Sequence, residues 1–312
     1  MKNTEADSKG RIIIICGPTA IGKTGAAIGL AQKFQGEIVS ADSMQIYQYM
    51  DIGTAKPTAE EKAAVKHHMI DIAAPDEEFD AARYAEEASG IISELHHRGI
   101  PPFVVGGTGL YIKALLHGIF QAPPPPPALR EELRRIAEKS GSPFLHRRLL
   151  NCDPESARKI HPNDSYRIIR ALEIYESTGK SIREYQKKHL FAEKKYRTFK
   201  IALHSERGIL YERINRRVDA MLDAGLEDEV RELTAKGYSH ELKSMQSIGY
   251  RHMNEYIRGL MDYTEAVRTM KRDTRRYAKR QFTWFRADPE MIWIKAENLK
   301  NLSPDIKKFL QE

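Results

Sequence analysis

The sequence predicts an α/β protein in which helices pack on a parallel sheet and a helical domain interrupts that core. Three short apolar runs have the length and composition of buried strands: Arg11–Cys16, Glu37–Ala41 and residues 102–105. Residues 23–34 and 80–98 lie between them and repeat their apolar positions at helical spacing. This alternation of strand and helix favours parallel strands joined by right-handed crossovers.

A change of composition marks the interruption of the core. Residues 123–127 are successive prolines, which favour an extended and stiff chain. From there to Tyr196 the pattern is helical, and strand-like runs return at residues 199–203 and 291–294. We therefore predict two domains. The core comprises residues 1–121 and 196–312 and ends in basic helices, and the insertion comprises residues 122–195.

Composition excludes several classes of protein. The chain has 312 residues, a formal net charge of +7 and a sequence pI of about 9.2, which favours a polyanionic partner. The first apolar run, residues 12–16, is too short to span a membrane or to form a signal peptide core. Two cysteines, Cys16 and Cys152, cannot form a cysteine zinc site, and Cys16 is expected to be buried. We expect a cytoplasmic protein that binds no membrane and acts as a monomer.

One motif predicts a phosphate-binding site. Residues 17–24 read GPTAIGKT and match the P-loop pattern G-x-x-x-x-G-K-[ST] in full, between a predicted strand and a predicted helix. Glycines let backbone amides converge on phosphate oxygens, the lysine adds positive charge, and the following hydroxyl can bind Mg²⁺. The core is therefore predicted to be P-loop NTPase-like, since a chance turn would rarely have this context. The candidate phosphate ligands are Gly17, Pro18, Thr19, Ala20, Ile21, Gly22, Lys23 and Thr24, with Thr24 also the candidate metal ligand.

Two other strand ends are expected beside this loop, because ligands bind outside the carboxyl ends of strands in such sheets. Asp42 follows the strand Glu37–Ala41, and Thr108 follows the next strand and two glycines. P-loop kinases and ATPases commonly carry an aspartate after a second strand, yet residues 103–108 contain no acid. Asp42 is therefore the candidate catalytic base. An aspartate there could also cap a turn, and Thr108 could equally belong to a tight turn.

Further blocks of sequence indicate a resemblance to a known protein family. They are DSMQIY at 42–47, MDIGTAKP at 50–57, HMID at 68–71, VGGTGLY at 105–111, IHPND at 160–164, GYR at 249–251 and AKRQFTW at 278–284. Together with the P-loop, they resemble the bacterial tRNA dimethylallyltransferase (tRNA isopentenyltransferase) family, in the family's order and over nearly the whole chain. The P-loop alone would be shared by many unrelated functions, so the resemblance depends on the set.

The resemblance implies a reaction, in which a dimethylallyl group moves from dimethylallyl pyrophosphate to N6 of the adenosine 3′-adjacent to the anticodon in tRNA, releasing pyrophosphate. The adenine amine is a poor nucleophile, so a base that takes its proton would help, and Asp42 is the candidate. Lys23, the loop amides and Mg²⁺ at Thr24 would stabilise the departing pyrophosphate. Thr19 could hydrogen-bond a pyrophosphate or reacting oxygen, or be an ordinary loop residue.

Arginines are the other candidate ligands. Arg213 and Arg217, four apart on a predicted helix, could clamp the pyrophosphate or be bystanders. A C-terminal helix repeats cations from Arg268 to Arg280 and ends near Trp284, which could stack on a base of the anticodon stem-loop. It could also be an exposed basic helix with Trp284 in the core.

The tRNA contacts predicted from these patterns and from the resemblance form one larger set. Gln45 is notable because its amide offers a donor and an acceptor to an adenine edge. The full set is Asp42, Ser43, Met44, Gln45, Thr108, Arg130, Tyr166, Arg167, Ile168, Ile169, Arg170, Gln246, Ser247, Ile248, Gly249, Tyr250, Arg251, Arg272, Arg276, Lys279, Arg280, Gln281, Phe282, Thr283, Trp284, Phe285 and Arg286.

Two rival functions fit part of the sequence. A nucleoside or nucleotide kinase would use the same P-loop, but it would not need the large basic helical regions. A non-catalytic RNA-binding protein with a vestigial P-loop would not be expected to keep Lys23 and Thr24 intact. Mg²⁺-dependent binding of dimethylallyl pyrophosphate in preference to ATP would separate the transferase from both.

Overall fold

A computed structural model describes residues 9–119, 125–189 and 194–312. Its strands are β1 (Arg11–Cys16), β2 (Glu37–Ala41), β3 (His67–His68), β4 (Pro102–Gly106), β5 (Arg197–His204) and β6 (Ile292–Lys295). Within the described residues they form one parallel sheet in the order β3-β2-β4-β1-β5-β6. The predicted α/β fold class is confirmed.

The centre of this sheet is β1, which pairs with β4 on one side and with β5 on the other. Its residues 12–16 are all fully buried, Cys16 included, as predicted. A strand that is covered on both faces reads as a continuous apolar run, which is why the sequence predicted it. The two-residue strand β3 was missed because its paired histidines, His67 and His68, show no apolar pattern.

Helices make up most of the rest of the described chain. They are α1 (Lys23–Lys33), α2 (Ala59–Ala64), α3 (Ala81–His97), α4 (Gly109–His117), α5 (Pro127–Ser140), α6 (Ser142–Cys152), α7 (Pro154–Ala157), α8 (Ser165–Thr178), α9 (Ile182–His189), α10 (Arg207–Asp223), α11 (Leu226–Ala235), α12 (Tyr250–Ile257), α13 (Tyr263–Arg286) and α14 (Ser303–Gln311), with a 3₁₀ helix at Ala296–Leu302. The predicted helices at 23–34 and 80–98 correspond to α1 and α3. Asp80 caps α3 by accepting hydrogen bonds from the backbone amides of Ala82 and Arg83.

The chain divides into two compact units, Met1–Leu116 with Lys195–Glu312 and His117–Lys194. The sequence placed these boundaries at 121/122 and 195/196, and the first of them falls within residues 120–124, outside the described part. Pro123 and Pro124 of the proline run also lie outside it, whereas Pro127 begins α5.

The smaller unit is helical and has its own apolar core. Leu133, Leu145, Leu149 and Leu172 are fully buried in it. Asp153 caps α7, because its carboxylate accepts a hydrogen bond from the Ser156 amide. Asp164 caps α8, because its carboxylate accepts a hydrogen bond from the Arg167 amide.

The register of the larger unit brings three strand ends together. Cys16 pairs with Gly106, and Gly106 pairs with Ala41, so the residues that follow β1, β2 and β4 leave the sheet at one level. The fit at this point is close, because a Cβ on Gly106 would lie 2.1 Å from the Ala41 carbonyl oxygen. Only a glycine therefore allows β2 and β4 to approach in this way.

We expect Gly106→Ala to lower the free energy of unfolding by about 1–3 kcal/mol, because the added methyl group would push the two strands apart. Chemical denaturation followed by circular dichroism measures this difference. Gly90→Ala is the matched control, since a Cβ there meets nothing within 4 Å and α3 should gain roughly 0.5–1 kcal/mol. Equal stability of the two variants would contradict the packing described for Gly106.

Candidate active site

The P-loop begins at Gly17, directly after β1, and ends in the first turn of α1. Gly17 has a φ of +148°, and a Cβ there would lie 2.9 Å from the carbonyl oxygen of Leu203. Gly22 has a φ of +95° and Ala20 a φ of +62°, so the loop curls through left-handed conformations before α1 starts at Lys23. The N-terminus of α1, with its unpaired amides and positive dipole end, therefore faces the end of the sheet as an anion site.

Lys23 is folded back over the loop. Its ammonium donates a hydrogen bond to the Pro18 carbonyl oxygen at 2.9 Å. Burial lowers the pKa of Lys23 to about 8, with Asp42 opposing and Arg217 reinforcing that shift. Burial also lowers the pKa of Arg217, and Asp42 raises it. The structure thus brings Lys23, Arg217 and Asp42 within electrostatic range of one another.

A pocket of about 40 Å³ lies in front of the loop. Its lining includes Lys23 and Thr24 from the start of α1, Asp42 and Gln45 from the segment after β2, and His67 from β3. Two of the predicted phosphate ligands, Lys23 and Thr24, therefore share one pocket with the candidate base Asp42. His67 was not among the predicted site residues, since its position depends on the strand β3 that the sequence did not reveal.

Asp42 caps a turn and also lies at the pocket, so its place in the structure is compatible with both alternatives that the sequence presented. Its Oδ1 accepts hydrogen bonds from the amides of Met44 at 2.9 Å and Gln45 at 3.4 Å, so it caps a turn. It also lines the pocket at the P-loop, as a base would. Thr108 supports this turn, since its hydroxyl oxygen accepts a hydrogen bond from the Ser43 amide at 3.0 Å.

The side chain of Gln45 forms hydrogen bonds within the protein. Its Nε2 donates to the carbonyl oxygens of Thr54 and Ala55 at 3.3 and 3.2 Å, and its Oε1 accepts from the Ser40 hydroxyl at 3.3 Å. Gln45 therefore holds the segment after β2 against residues 54–55. Its contact with adenine stays a prediction.

Gln281 also forms hydrogen bonds within the protein. It lies on the buried side of α13, where its Oε1 accepts from the Thr19 amide at 2.9 Å and its Nε2 donates to the Gly107 carbonyl oxygen at 3.0 Å. One amide side chain therefore ties the P-loop to the segment that follows β4. This contact uses the Thr19 amide, and no described contact assigns a role to the Thr19 hydroxyl.

Tyr277, one turn earlier on α13, is a site residue that the sequence analysis missed. Its pKa is raised to about 12, first by burial and then by Asp42, while hydrogen bonds with Thr108 and Gln281 oppose the shift. The phenol therefore lies among the groups around the candidate base. The signal that could have found it is its spacing of four from Gln281, which places both on one side of the helix.

Other predicted residues are not brought to the pocket. Arg213 is exposed on α10, and no described contact links it to the P-loop, unlike Arg217. Ile168, Tyr250 and Phe285 are at most 2% exposed, so in this structure they pack inside the protein beneath the surface.

The small unit has its own charged cluster around a buried acid. The carboxylate of Glu173 is 2% exposed and receives Arg130 at 2.6 Å and Arg170 at 3.2 Å. These two arginines, predicted to contact tRNA, therefore also neutralise a buried carboxylate. Tyr166 and Arg167 are exposed on α8 and available to a partner.

The basic stripe on α13 is partly neutralised by neighbouring acids. Arg268 pairs with Glu265, Lys271 pairs with Asp219, and Arg272 and Arg276 share Asp273. Lys279, Arg280 and Arg286 are exposed toward the C-terminal end of the helix. Trp284 is 42% exposed and packs against Gly109, so it is not in the core. The end of α13 that follows Arg276 is therefore the more available polyanion surface.

Among the described helices, none has the length and apolar character needed to span a membrane. Nor do the described residues contain a group of three or more His, Cys, Asp or Glu side chains arranged to hold a metal ion.

The parallel sheet and the P-loop with Asp42 beside it define an α/β protein of the P-loop class. The basic helix α13 adds a surface that suits a polyanion. The chain matches the family described as IPP transferase over residues 45–288. It belongs to this family.

Individual relatives agree with this assignment. The chain is 55% identical over 302 residues to a protein of Desulfosudis oleivorans named tRNA dimethylallyltransferase, covering 96% of each chain. A solved tRNA isopentenylpyrophosphate transferase from Bacillus halodurans matches with a TM-score of 0.73 and 41% identity, covering 97% of each chain. A solved eukaryotic dimethylallyltransferase, described as acting on tRNA, matches with a TM-score of 0.77 and 30% identity over 96% of this chain and 77% of its own.

We expect the affinity for inorganic diphosphate to fall as the pH rises above about 8, because the Lys23 ammonium, whose pKa is about 8, then loses its charge. Bound diphosphate favours the charged form and raises the pKa of Lys23. The affinity for diphosphate should therefore be highest below pH 8, where Lys23 is charged in the free protein. It should fall by up to about tenfold per pH unit above pH 8, until the pH reaches the raised pKa of Lys23 in the complex.

Isothermal titration calorimetry between pH 6.5 and 9.5 measures this dependence. Lys23→Met is the control, since any pH dependence that it retains belongs to the ligand and to other groups. Identical pH profiles for the wild type and Lys23→Met would show that the Lys23 ammonium does not bind the ligand.

Proposed function

We propose that the protein transfers a dimethylallyl group from dimethylallyl pyrophosphate to N6 of the adenosine 3′-adjacent to the anticodon of tRNA, releasing pyrophosphate. The observation that supports the proposal most strongly is a pocket lined by Lys23 and Thr24 of the P-loop and by the carboxylate of Asp42. Membership of the IPP transferase family and the names of the relatives support the same reaction.

The proposed reaction divides between these groups. The lone pair of N6 forms a bond to C1 of the dimethylallyl group while the C1–oxygen bond breaks and its electron pair leaves with pyrophosphate. Asp42 accepts the proton that N6 loses, which prevents a positive charge from building up on the amine. The P-loop amides, Lys23 and Arg217 bind the pyrophosphate, whose negative charge increases as the bond breaks.

Mg²⁺ is the proposed cofactor, and the donor set fits it. Mg²⁺ prefers oxygen ligands and is commonly held by few protein groups together with substrate phosphates and water. Thr24 offers one hydroxyl oxygen at the P-loop, and the described residues add no cluster of metal-binding side chains. When bound, Mg²⁺ would supply positive charge to the leaving group. Thr24 would hold it, and Lys23 would neutralise the same pyrophosphate from within the loop.

The nucleoside kinase alternative is not favoured. The segment after β4 begins Gly107-Thr108-Gly109 and has no acid, and the relatives carry transferase names. We further propose that the protein works as a monomer in the cytoplasm, where tRNA is available. Light scattering coupled to size-exclusion chromatography would test the monomer.

Incubation of the protein with dimethylallyl pyrophosphate, Mg²⁺ and unmodified tRNA, followed by nucleoside mass spectrometry, tests the function. We expect a prenylated adenosine that maps next to the anticodon and requires all three components. Formation of a phosphorylated product from ATP, with no prenylated nucleoside, would instead establish the kinase.

We expect Asp42→Asn to lower the single-turnover rate by about 10²–10⁴-fold, because the amide cannot accept the proton. The Asn oxygen can still accept the hydrogen bonds from Met44 and Gln45, so the turn should persist. Binding of inorganic diphosphate and of tRNA, measured separately, should change by less than about twofold. A variant with the wild-type single-turnover rate would remove Asp42 from the role of base.

We expect Arg272→Ala and Arg276→Ala each to weaken tRNA binding and to leave diphosphate binding unchanged. Each lost phosphate contact should flatten the plot of log affinity against log salt concentration by about one unit or less. Arg268→Ala is the matched control, because Arg268 lies on the same stripe but has the Glu265 carboxylate to itself, whereas Arg272 and Arg276 share the single carboxylate of Asp273 and keep excess positive charge. Filter binding between 50 and 300 mM salt measures the slopes. Wild-type slopes for both variants would exclude this stripe as the tRNA surface.

A further inference from the structure

Glu229, on α11, makes an unusual contact with a distant loop. Its Oε2 accepts hydrogen bonds from the amides of Asp51 at 2.8 Å and Ile52 at 2.7 Å, and its Oε1 accepts from the amide of Gly53 at 3.1 Å. Three consecutive backbone donors therefore converge on one carboxylate. Charge-assisted hydrogen bonds of this kind are stronger than those between neutral groups.

A fourth donor completes this contact. The hydroxyl of Tyr250, at the start of α12, donates to Glu229 Oε1 at 2.5 Å. The aromatic ring of Tyr250 also packs against the loop, since a Cβ on Gly53 would lie 2.4 Å from it. Gly53 is therefore the residue that lets the loop approach both Glu229 and Tyr250. We call Glu229, Tyr250 and residues 51–53 the carboxylate clamp.

The loop held by this clamp leads to the candidate base. Thr54 and Ala55 follow the clamp, and their carbonyl oxygens accept the two hydrogen bonds of the Gln45 amide. The Gln45 backbone amide in turn donates to Asp42 Oδ1. Hydrogen bonds, joined by the backbone from Gly53 to Ala55 and by Gln45 itself, therefore connect Glu229 to the turn that holds Asp42.

The next residue, Lys56, ties the loop at a second point. Its side chain is 3% exposed, and its ammonium donates to the Tyr47 carbonyl oxygen and to Asp51 Oδ1, both at 2.6 Å. Residues 47–56 are therefore fixed to one another and, through Glu229, to α11.

The same loop forms one wall of a large cavity. The cavity has a volume of about 890 Å³ and is lined by Asp51, Ile52, Ala55 and Lys56 from the loop and by Arg217 and Ala220 from α10. Arg217 is the arginine within electrostatic range of Asp42 and Lys23. The clamped loop thus lines the cavity, and Gln45, to which it is hydrogen-bonded, lines the pocket at the P-loop.

We infer that Glu229 is a positioning residue for catalysis, which fixes the loop at residues 51–55 and thereby the orientation of Gln45 and Asp42. This inference rests on the proposed function for its effect on turnover, but the clamp itself can be tested without it. Displacing a catalytic group by about 1 Å can cost about 100-fold in rate. Loss of the clamp should therefore lower turnover without weakening the binding of diphosphate to the P-loop.

Glu229→Gln is the sharpest variant, because it keeps the size of the side chain and replaces one accepting oxygen by an NH₂ group that cannot accept. Glu227→Gln is the matched control, since Glu227 lies on the same helix and pairs with Arg231 at 2.6 Å. Tyr250→Phe removes only the fourth donor. It is expected to have a smaller effect in the same direction, and it provides a second test if Glu229→Gln does not fold.

Hydrogen exchange measured by NMR or mass spectrometry tests the clamp directly. We expect the amides of residues 51–53 to exchange at least tenfold faster in Glu229→Gln, and by a smaller factor in Tyr250→Phe, with no change in Glu227→Gln. Single-turnover prenylation at saturating substrates should fall about 10–100-fold in Glu229→Gln, while the Kd of inorganic diphosphate should change by less than about twofold.

These measurements distinguish a failure of the positioning role of Glu229 from a failure of the proposed function. Unchanged exchange at residues 51–53, or a turnover equal to that of Glu227→Gln, would overturn the positioning role. A loss of diphosphate binding as large as the loss of turnover would also overturn it, because the damage would then not be confined to the base. If the wild type made no prenylated nucleoside, the proposed function would fail, and the exchange data would still decide whether the clamp exists.

Discussion

The close backbone contact between Ala41 and Gly106 is the constraint on which the candidate site depends. It holds β2 against β4 in a register that also aligns β1, so that the P-loop, Asp42 and Gly107 emerge at the same level of the sheet. Gln281 then fixes this arrangement from the outside by bonding to both the P-loop and Gly107. The positions of the P-loop and of Asp42 are thus determined by the backbone geometry of the sheet and not by side-chain rotamers.

Electrostatics give this arrangement its function. Lys23 and Arg217 are two cations whose pKa values are lowered by burial, and Asp42 is the carboxylate that opposes both shifts. Placing two buried cations near one another is unfavourable for the folded protein alone, and a bound polyanion reverses that cost. The site is therefore organised for a ligand with more negative charge than one carboxylate provides.

The sequence predicted the fold class, the P-loop and the position of Asp42, because each depends on a local pattern: an apolar run, a spaced motif or the residue after a strand. It failed where a polar side chain has a partner far away in the chain. Gln281 bonds to Thr19, and Glu229 to residues 51–53, across more than 170 residues. Local sequence cannot show that the amide of Gln281 is buried and joins two distant segments, so it was assigned to RNA together with Gln45. Tyr250 and Phe285 were assigned to RNA from a resemblance that carries no information about burial.

The placement of the two tryptophans has a practical consequence. Trp284 lies half exposed against Gly109 at the end of the basic helix, and Trp293 stacks on Phe282 with ring centroids 5.9 Å apart. Both indoles therefore lie close to the C-terminal end of α13, and they are the two tryptophans of the 312-residue sequence. The tryptophan fluorescence of the unlabelled protein, excited selectively over that of its 14 tyrosines, thus originates beside the proposed polyanion surface. This emission can report the binding of a nucleic acid in real time and without an attached dye.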